Sequence, residues 1–219
     1  MNYVFISDIH SNYDNLANVL KSIETSVKKP YKIICLGDIF EVKISKSEIN
    51  DYIFNDIKEV IDDGFDIFEK LKNILIIRGN QEERLFYLIP DDKLPNYLND
   101  LKQRLKNDFL ISSSIKAIHG HQFRWKKYEN RHYPVIKSDN YRVLFYGHSH
   151  ENNIFKVKLK DHDCISYDRI NIEYGSPYIL DFNENTQYLI NVGDLKESEI
   201  NWVLYDSMDN SLTFYSNAN

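Results

Sequence analysis

Apolar residues along the chain form short runs separated by polar and turn-forming residues. Five of these runs are rich in β-branched residues and have the length of buried strands, namely Tyr3–Ile6, Lys32–Leu36, Ile74–Ile77, Ile115–Ile118 and Val143–Tyr146. Apolar residues recur at helical spacing in Asp14–Ser26 and again in Ser47–Leu71, so we expect a helix in each segment. A further helical stretch, Glu83–Lys106, is interrupted by Pro90 and Pro95, which predicts two short helices.

The alternation of strands and helices predicts a mostly parallel sheet with right-handed crossovers. The last third of the chain instead contains strand-like runs separated by turn residues, at Asn153–Leu159, Tyr188–Val192, Trp202–Tyr205 and Leu212–Tyr215. We expect hairpins of these runs to form a second sheet that packs on the first, whereas 160–186 receives no assignment. The chain is therefore expected to be one α/β domain over residues 1–219, with a helical, cap-like stretch at about 83–107.

Composition narrows the class of protein and of partner. Hydrophobic residues make up 42% and charged residues 27%, which is ordinary for a globular protein with a buried core. The net charge of −6 argues against a surface for duplex nucleic acid, but bound metals would still allow a small phosphorylated substrate. Two cysteines, Cys35 and Cys164, do not form a disulfide framework. With neither a signal peptide nor an apolar run of ~18 residues, we expect a cytoplasmic protein without a membrane contact. The oligomeric state is not predicted.

Polar residues of metal-ligand type follow each of the five strand-like runs. They are Asp8, His10, Asp38, Asn80, His119, His148 and His150. Each short pattern has an ordinary explanation when taken alone, such as a helix N-cap at Asn80 or a strand-ending turn at Asp38. Their repetition after five strands favours one site, because sites in open α/β sheets lie beyond the carboxyl ends of the strands.

Carboxylate, imidazole and amide ligands together favour a transition metal over calcium or magnesium. Manganese is our first choice, with iron, zinc, nickel or cobalt as alternatives. Seven ligands exceed what one ion needs, so we expect two divalent ions that share a bridging carboxylate, that of Asp38. Two ions ~3.5–4 Å apart would hold the attacking and leaving oxygens of an in-line displacement.

These segments, in this order, resemble the calcineurin-like metallophosphoesterase superfamily and its small bacterial phosphodiesterases. The matching motifs are Asp8-Ile9-His10, Gly37-Asp38-Ile39-Phe40-Glu41, Gly79-Asn80-Gln81-Glu82, His119, Gly147-His148-Ser149-His150 and the closing Ile190-Asn191-Val192-Gly193. The resemblance implies two mixed β-sheets sandwiched between helices in four αββα layers. It also implies that one metal takes Asp8, His10, Asp38 and His150, and that the other takes Asp38, Asn80, His119 and His148.

Gln81 departs from the family pattern, in which a histidine at this position protonates the leaving oxygen and the next acidic residue, here Glu82, orients it. A glutamine amide has no such proton to give near neutral pH. His121 is either a substitute donor or a residue that orients a ligand. We therefore take Asn80, Gln81 and His121 as the candidate catalytic residues.

The segment after His121 carries basic and aromatic side chains at Arg124, Trp125 and Lys127. These three residues are candidates for holding a phosphate and stacking a base, and the alternative is a solvated charged loop.

The predicted activity is metal-dependent hydrolysis of a phosphodiester or an activated phosphate ester. A bridging hydroxide would attack phosphorus while both metals and Asn80 stabilise the developing charge. The expected partner is a small phosphorylated substrate, and a nucleotide-like one is a candidate. A phosphomonoesterase or dinucleoside-polyphosphate hydrolase is the first alternative, and a weakly active or inactive interaction scaffold of the same fold is the second.

Overall fold

A computed structural model describes residues 1–128, 131–135, 141–160, 163–182, 186–196 and 199–218. The strands are β1 (Asn2–Ile6), β2 (Tyr31–Cys35), β3 (Leu75–Ile76), β4 (Phe109–Ser112), β5 (Ile115–Ala117), β6 (Arg124–Tyr128), β7 (Arg131–Val135), β8 (Val143–Tyr146), β9 (Asn152–Lys160), β10 (Asp163–Ile170), β11 (Tyr178–Ile179), β12 (Thr186–Val192), β13 (Glu199–Asp206) and β14 (Ser211–Ala218). The helices are α1 (Tyr13–Ser26), α2 (Ile57–Val60), α3 (Phe65–Leu71), α4 (Asn80–Leu88) and α5 (Asn96–Arg104), with a 3₁₀ turn at Asp91–Lys93.

The strands form two mixed, six-stranded sheets and a separate hairpin, β6–β7. Sheet one has the order β11-β14-β13-β1-β2-β3, and sheet two has the order β10-β9-β12-β8-β5-β4. Parallel pairing joins β1, β2 and β3 in sheet one, and β5, β8 and β12 in sheet two. The prediction of an α/β protein with two mixed sheets is confirmed.

The predicted distribution of strands between the sheets is wrong. β5 and β8 belong to sheet two, whereas the β13–β14 hairpin joins sheet one through antiparallel pairing of β13 with β1. Strands that are buried on both faces have no alternation that would indicate their partner, so the sequence did not specify which sheet each would join. The five ligand-bearing strands therefore come from two sheets.

Apolar side chains fill the space between the sheets and cover both outer faces. Between the sheets, Phe5 stacks on Phe145 with ring centroids 4.0 Å apart and an interplanar angle of 13°. The helices bury apolar residues, among them Leu16, Ile67, Leu85 and Leu98, against sheet one. On the outer face of sheet two, Trp125 and Tyr133 pack on a buried cluster that includes Tyr146. In the described residues this layer is the β6–β7 hairpin, where helices were expected.

One predicted helix, Ser47–Leu71, is wrong, because only α2 and α3 are helical there. The Asp56 carboxylate caps α2 by accepting a hydrogen bond from the Lys58 N–H at 2.8 Å, and α2 ends when Ile61 becomes extended. Ile53 is 79% exposed, so the apolar stripe of this segment does not face the core throughout.

The two helices expected on either side of Pro90 and Pro95 are present as α4 and α5. Their buried leucines belong to the same core as sheet one, so this stretch packs on the body of the protein. The unassigned segment 160–186 contains all of β10 and all of β11. None of the helices in the described ranges has the length and apolar character needed to cross a bilayer.

Candidate metal centre

The structure gathers the seven predicted ligands at one edge of the two sheets. Five of them have positive φ angles, namely Asp8 (52°), His10 (47°), Asp38 (53°), His148 (71°) and His150 (59°). This backbone region is sparsely populated by residues other than glycine, and holding a residue there costs of order 1–3 kcal/mol. Repeated strain of this kind clusters at functional sites, which supports a common role for these residues.

Two glycines allow the ligand-bearing loops to approach one another closely. A Cβ atom at Gly79 would collide with the Asp38 carboxylate, and one at Gly147 would collide with the Ser7 hydroxyl and the Asp8 carboxylate. Any side chain at either position would therefore displace a predicted ligand.

The first group of converging side chains consists of Asp8, His10 and His150. Asp8 Oδ1 lies 3.4 Å from His150 Nε2 and 3.7 Å from His10 Nε2. Both Asp8 Oδ1 and His10 Nε2 are buried, and neither has a hydrogen-bond partner in the described part of the chain. Buried polar atoms normally have partners, so this arrangement fits a cation at the point where the atoms converge.

The second group consists of Asp38, His119 and His148. His119 Nε2 lies 3.4 Å from Asp38 Oδ1, and the ring centroids of His119 and His148 are 5.1 Å apart. The Asn80 side-chain oxygen lies 3.1 Å from His119 Nε2, so it faces the same point. An amide oxygen, a carboxylate and imidazoles form a donor set that suits a divalent transition metal.

Asp38 lies between the two groups. Its Oδ1 faces His119, which follows β5 of sheet two. Its Oδ2 lies 3.8 Å from Nε2 of His10, which follows β1 of sheet one. One carboxylate is thus placed with one oxygen toward each group. The residues present therefore fit two divalent ions.

Polar contacts of the opposite ring nitrogens orient three of the imidazoles. His119 Nδ1 donates to the Leu36 carbonyl at 2.8 Å, His10 Nδ1 lies 2.5 Å from Glu41 Oε2, and His150 Nδ1 lies 3.5 Å from Asp194 Oδ2. In each case Nε2 points into the site, the arrangement typical of metal-binding histidines.

Glu41 and Asp194 were not among the residues predicted to form the site. Glu41 was part of a quoted motif, but its contact with His10 spans 31 residues and depends on the tertiary fold. Asp194 had a usable signal, because Gly193-Asp194 after β12 repeats the glycine–aspartate pair that follows β2.

Burial and neighbouring charges shift the pKa values of the side chains in both groups. Burial alone would raise the pKa of Asp8, but hydrogen bonds with His10 and His150 hold it well below its usual range. Burial would lower the pKa of His119, yet the neighbouring Asp38 carboxylate raises it to about 9. Burial and the nearby His119 lower the pKa of His148 to about 4. The carboxylates are therefore ionised. His119 carries a proton at the position where a cation would bind.

The Gln81 side chain is fixed by hydrogen bonds to neighbouring residues. Its side-chain oxygen accepts hydrogen bonds from the Val42 N–H, at 3.2 Å, and from the Arg84 guanidinium. The Glu82 carboxylate accepts the N–H groups of Gly79, Asp38 and Ile39, so it fixes the loops that carry the ligands and does not orient the side chain at position 81.

His121 lies beside the second group, with its ring centroid 5.3 Å from that of His119. Its Nε2 is 3.2 Å from Glu83 Oε1. Burial and the nearby His119 hold the pKa of His121 below its ordinary value, so the ring is neutral at neutral pH.

The three candidate substrate-binding residues lie on β6, which pairs with β7. Trp125 donates from Nε1 to the Gly120 carbonyl at 3.2 Å, and its ring centroid is 5.9 Å from that of His148. Side chains alternate between the faces of a strand, so Arg124 projects away from the face shared by Trp125 and Lys127. The segment is therefore a strand and not the loop that was given as the alternative, and the role of these three residues in substrate binding stays a prediction.

A family model for the calcineurin-like phosphoesterase superfamily domain matches residues 1–198. A metallophosphoesterase from Sphaerobacter thermophilus aligns over 99% of this chain and 88% of its own, with 15% identity and a TM-score of 0.56. An archaeal phosphodiesterase aligns over 99% of this chain and 100% of its own, with 18% identity and a TM-score of 0.47. At such identities the structural likeness concerns the fold alone. A comparison with curated proteins found no match.

Proposed function

The chain belongs to the calcineurin-like phosphoesterase superfamily, and from this membership we propose that it hydrolyses a phosphodiester or another phosphate ester with a good leaving group. The observation that carries the proposal is the position of Asp38, with one carboxylate oxygen toward the His10 group and the other toward the His119 group. A shared carboxylate between two imidazole groups is the geometry that a two-metal hydrolase requires.

In this proposal, one ion is held by Asp8, His10, Asp38 and His150, and the other by Asp38, Asn80, His119 and His148. Two bound divalent ions would polarise the phosphoryl oxygens and lower the pKa of water, and manganese is our first choice.

The protein itself contributes positioning and charge. Glu41 and Asp194 fix the rings of His10 and His150, and Glu82 fixes the loops before and after Asp38. Because the Asn80 oxygen faces His119, its NH₂ group remains to donate to a phosphoryl oxygen as negative charge develops.

The choice of ester follows from the leaving-group side of the site. An amide such as that of Gln81 and an imidazole that is neutral near pH 7, as His121 is, are both too weakly acidic to transfer a proton to the leaving oxygen. A leaving group that tolerates negative charge, as in an activated diester, then reacts without a proton donor.

The test compares bis(p-nitrophenyl) phosphate with p-nitrophenyl phosphate, in the presence of manganese, cobalt, nickel or zinc. We expect turnover of the diester with at least one metal, and none by an Asp8→Asn variant purified in the same way. A wild-type protein that retains its metals and hydrolyses neither ester would contradict the proposal and favour the scaffold alternative.

A further inference from the structure

A pocket of about 410 Å³ opens beside the second ligand group. Asn80 and His148 form its inner end, and α4 forms one wall. Asn80, Glu83, Arg84 and Tyr87 all line the pocket, and their spacing of three, four and seven residues places them on one stripe of that helix. The opposite wall comes from the irregular segment before α2, with Lys46 and Ile49.

Two cations line this pocket without a carboxylate partner. In the part of the chain that the structure describes, no ion pair involves Arg84 or Lys46. Among the described residues that line the pocket, the only acid is Glu83, and its carboxylate faces His121 at 3.2 Å. The pocket therefore has an excess of positive charge before any metal binds.

Arg84 is held in a fixed position. Its NH2 atom donates to the Val42 carbonyl at 3.3 Å and to the Gln81 side-chain oxygen, while its buried Nε has no hydrogen-bond partner in the described ranges. Because that Nε is buried, it is the uncompensated positive charge of the anchored guanidinium, without a carboxylate partner in the described ranges, that suits Arg84 to an oxyanion in the pocket.

The outer part of the pocket is apolar and flat. Tyr87 is 66% exposed although it lies on a helix whose other face is buried, and the half-buried Ile49 faces the same space. An exposed tyrosine ring provides a surface on which a nucleobase stacks.

We propose that this pocket binds the part of a nucleotide substrate beyond the scissile phosphate, with a second phosphate between Arg84 and Lys46 and the base on Tyr87. The order along α4 agrees, because the rise of the helix places Arg84 ~6 Å and Tyr87 ~10 Å beyond Asn80. The substrate class is thus an ester of a nucleoside diphosphate or longer polyphosphate. The inference rests on the proposed function, since it takes the scissile phosphate to lie at the metal centre.

Binding of nucleotides tests the pocket without measuring catalysis. Isothermal titration calorimetry on the manganese-loaded protein would compare AMP with α,β-methylene-ADP, which presents a second phosphonate group but resists cleavage. We expect the diphosphate analogue to bind about tenfold more tightly than AMP, as a charge-assisted contact contributes ~1.5–3 kcal/mol.

Arg84→Gln and Lys46→Gln should each remove most of that preference, whereas Lys21→Gln, an exposed lysine on α1, should leave it unchanged. Because Arg84 also bonds to Val42 and Gln81, the exposed Lys46 provides the variant that does not depend on an intact fold around Arg84. Equal binding of AMP and the analogue, or a preference that survives both substitutions, would overturn the second-phosphate site.

A separate variant tests whether the base stacks on Tyr87. Tyr87→Leu should weaken AMP about fivefold and leave ribose 5-phosphate unaffected, because stacking on an aromatic ring contributes ~1–3 kcal/mol. Tyr174→Leu replaces another exposed tyrosine outside the pocket as a control. Unchanged AMP binding by Tyr87→Leu would refute the nucleoside assignment.

Turnover of bis(p-nitrophenyl) phosphate separates the two proposals. Hydrolysis by the wild type with no preference for the diphosphate analogue would overturn the pocket and leave the proposed function standing. A preference that depends on Lys46, in a protein that hydrolyses no ester, would support the pocket and contradict the proposed function.

Discussion

The Asp38 side chain connects two halves of the site that belong to different sheets. His10 follows β1 of sheet one and His119 follows β5 of sheet two, and each faces a different oxygen of the same carboxylate. Replacing this carboxylate therefore affects both halves, whereas replacing Asp8 affects the His10 group directly.

Asp38→Asn should lose both metals and all turnover, because a neutral amide bridges two cations poorly. Asp8→Asn should lose one metal and retain the other. Metal content by inductively coupled plasma mass spectrometry, measured with turnover, checks both. Asp209→Asn is a matched control, since Asp209 is exposed in the β13–β14 turn. Two bound metals per chain in the Asp38 variant would refute a shared carboxylate.

The residues around the leaving oxygen predict a steep dependence of rate on the leaving group. General acid catalysis typically accelerates a reaction ~10²–10⁴-fold. Without it, the ratio of the hydrolysis rates of nitrophenyl and alkyl diesters should be larger than in an enzyme that has a general acid. A series of aryl esters of graded leaving-group pKa measures this slope. His121→Ala should leave the slope unchanged, because the neutral ring supplies no proton. A loss confined to poor leaving groups in this variant would instead identify His121 as the acid.

At the scale of elements, the loops between strands and helices set the geometry of the site. Gly147 follows β8, and a Cβ there would meet the Ser7 hydroxyl and the Asp8 carboxylate. Gly147→Ala should therefore lower stability by ~1–3 kcal/mol and weaken the metal at the Asp8 group more than the metal at the His119 group.

Urea unfolding and metal titration of Gly147→Ala would measure these two effects. Gly175→Ala is the control, because a Cβ at Gly175 meets nothing within 4 Å, although its φ of 77° strains any other residue. Equal metal affinities in both variants would show that the close approach at Gly147 does not position Asp8.

The sequence predicted the ligand-bearing strands well, because apolar β-branched runs followed by polar residues mark buried strands and their ends. It failed at 47–71, where apolar spacing indicated one helix but Gly64, packed against the Phe40 ring, and the Asp56 cap divide the segment. It did not predict that 124–128 forms a strand, because the pairing of β6 with β7 depends on the tertiary fold.

At the scale of the whole molecule, the metal centre lies where the two sheets meet. Ions bound there would contact loops of both sheets, so we expect metal binding to stabilise the native state as a whole. At a hundredfold excess over Kd, binding contributes ~2.7 kcal/mol, which corresponds to a Tm roughly 5–10 °C higher for a chain of this size.

Thermal unfolding followed by circular dichroism, before and after removal of metal by a chelator, measures this difference. If Asp38→Asn binds neither ion, its Tm should be the same with and without the chelator and should match the lower Tm of the metal-free wild type. A wild-type Tm that is insensitive to the chelator, in a protein shown to contain metal beforehand, would place the metal away from the junction of the sheets.

The sequence indicated candidate ligands but not how the two sheets present them. The order of the ligand motifs was visible in the chain, whereas the pocket between α4 and Lys46 depends on how an irregular segment folds over a helix. Contacts of this kind join residues without a shared period or motif, so no pattern in the sequence predicts them.

The most direct test of the shared-carboxylate centre is anomalous diffraction from crystals grown with manganese. The account predicts two anomalous peaks ~3.5–4 Å apart, on either side of the Asp38 carboxylate, one beside His10 and the other beside His119. A single peak in metal-saturated crystals, or two peaks that do not share Asp38, would contradict it.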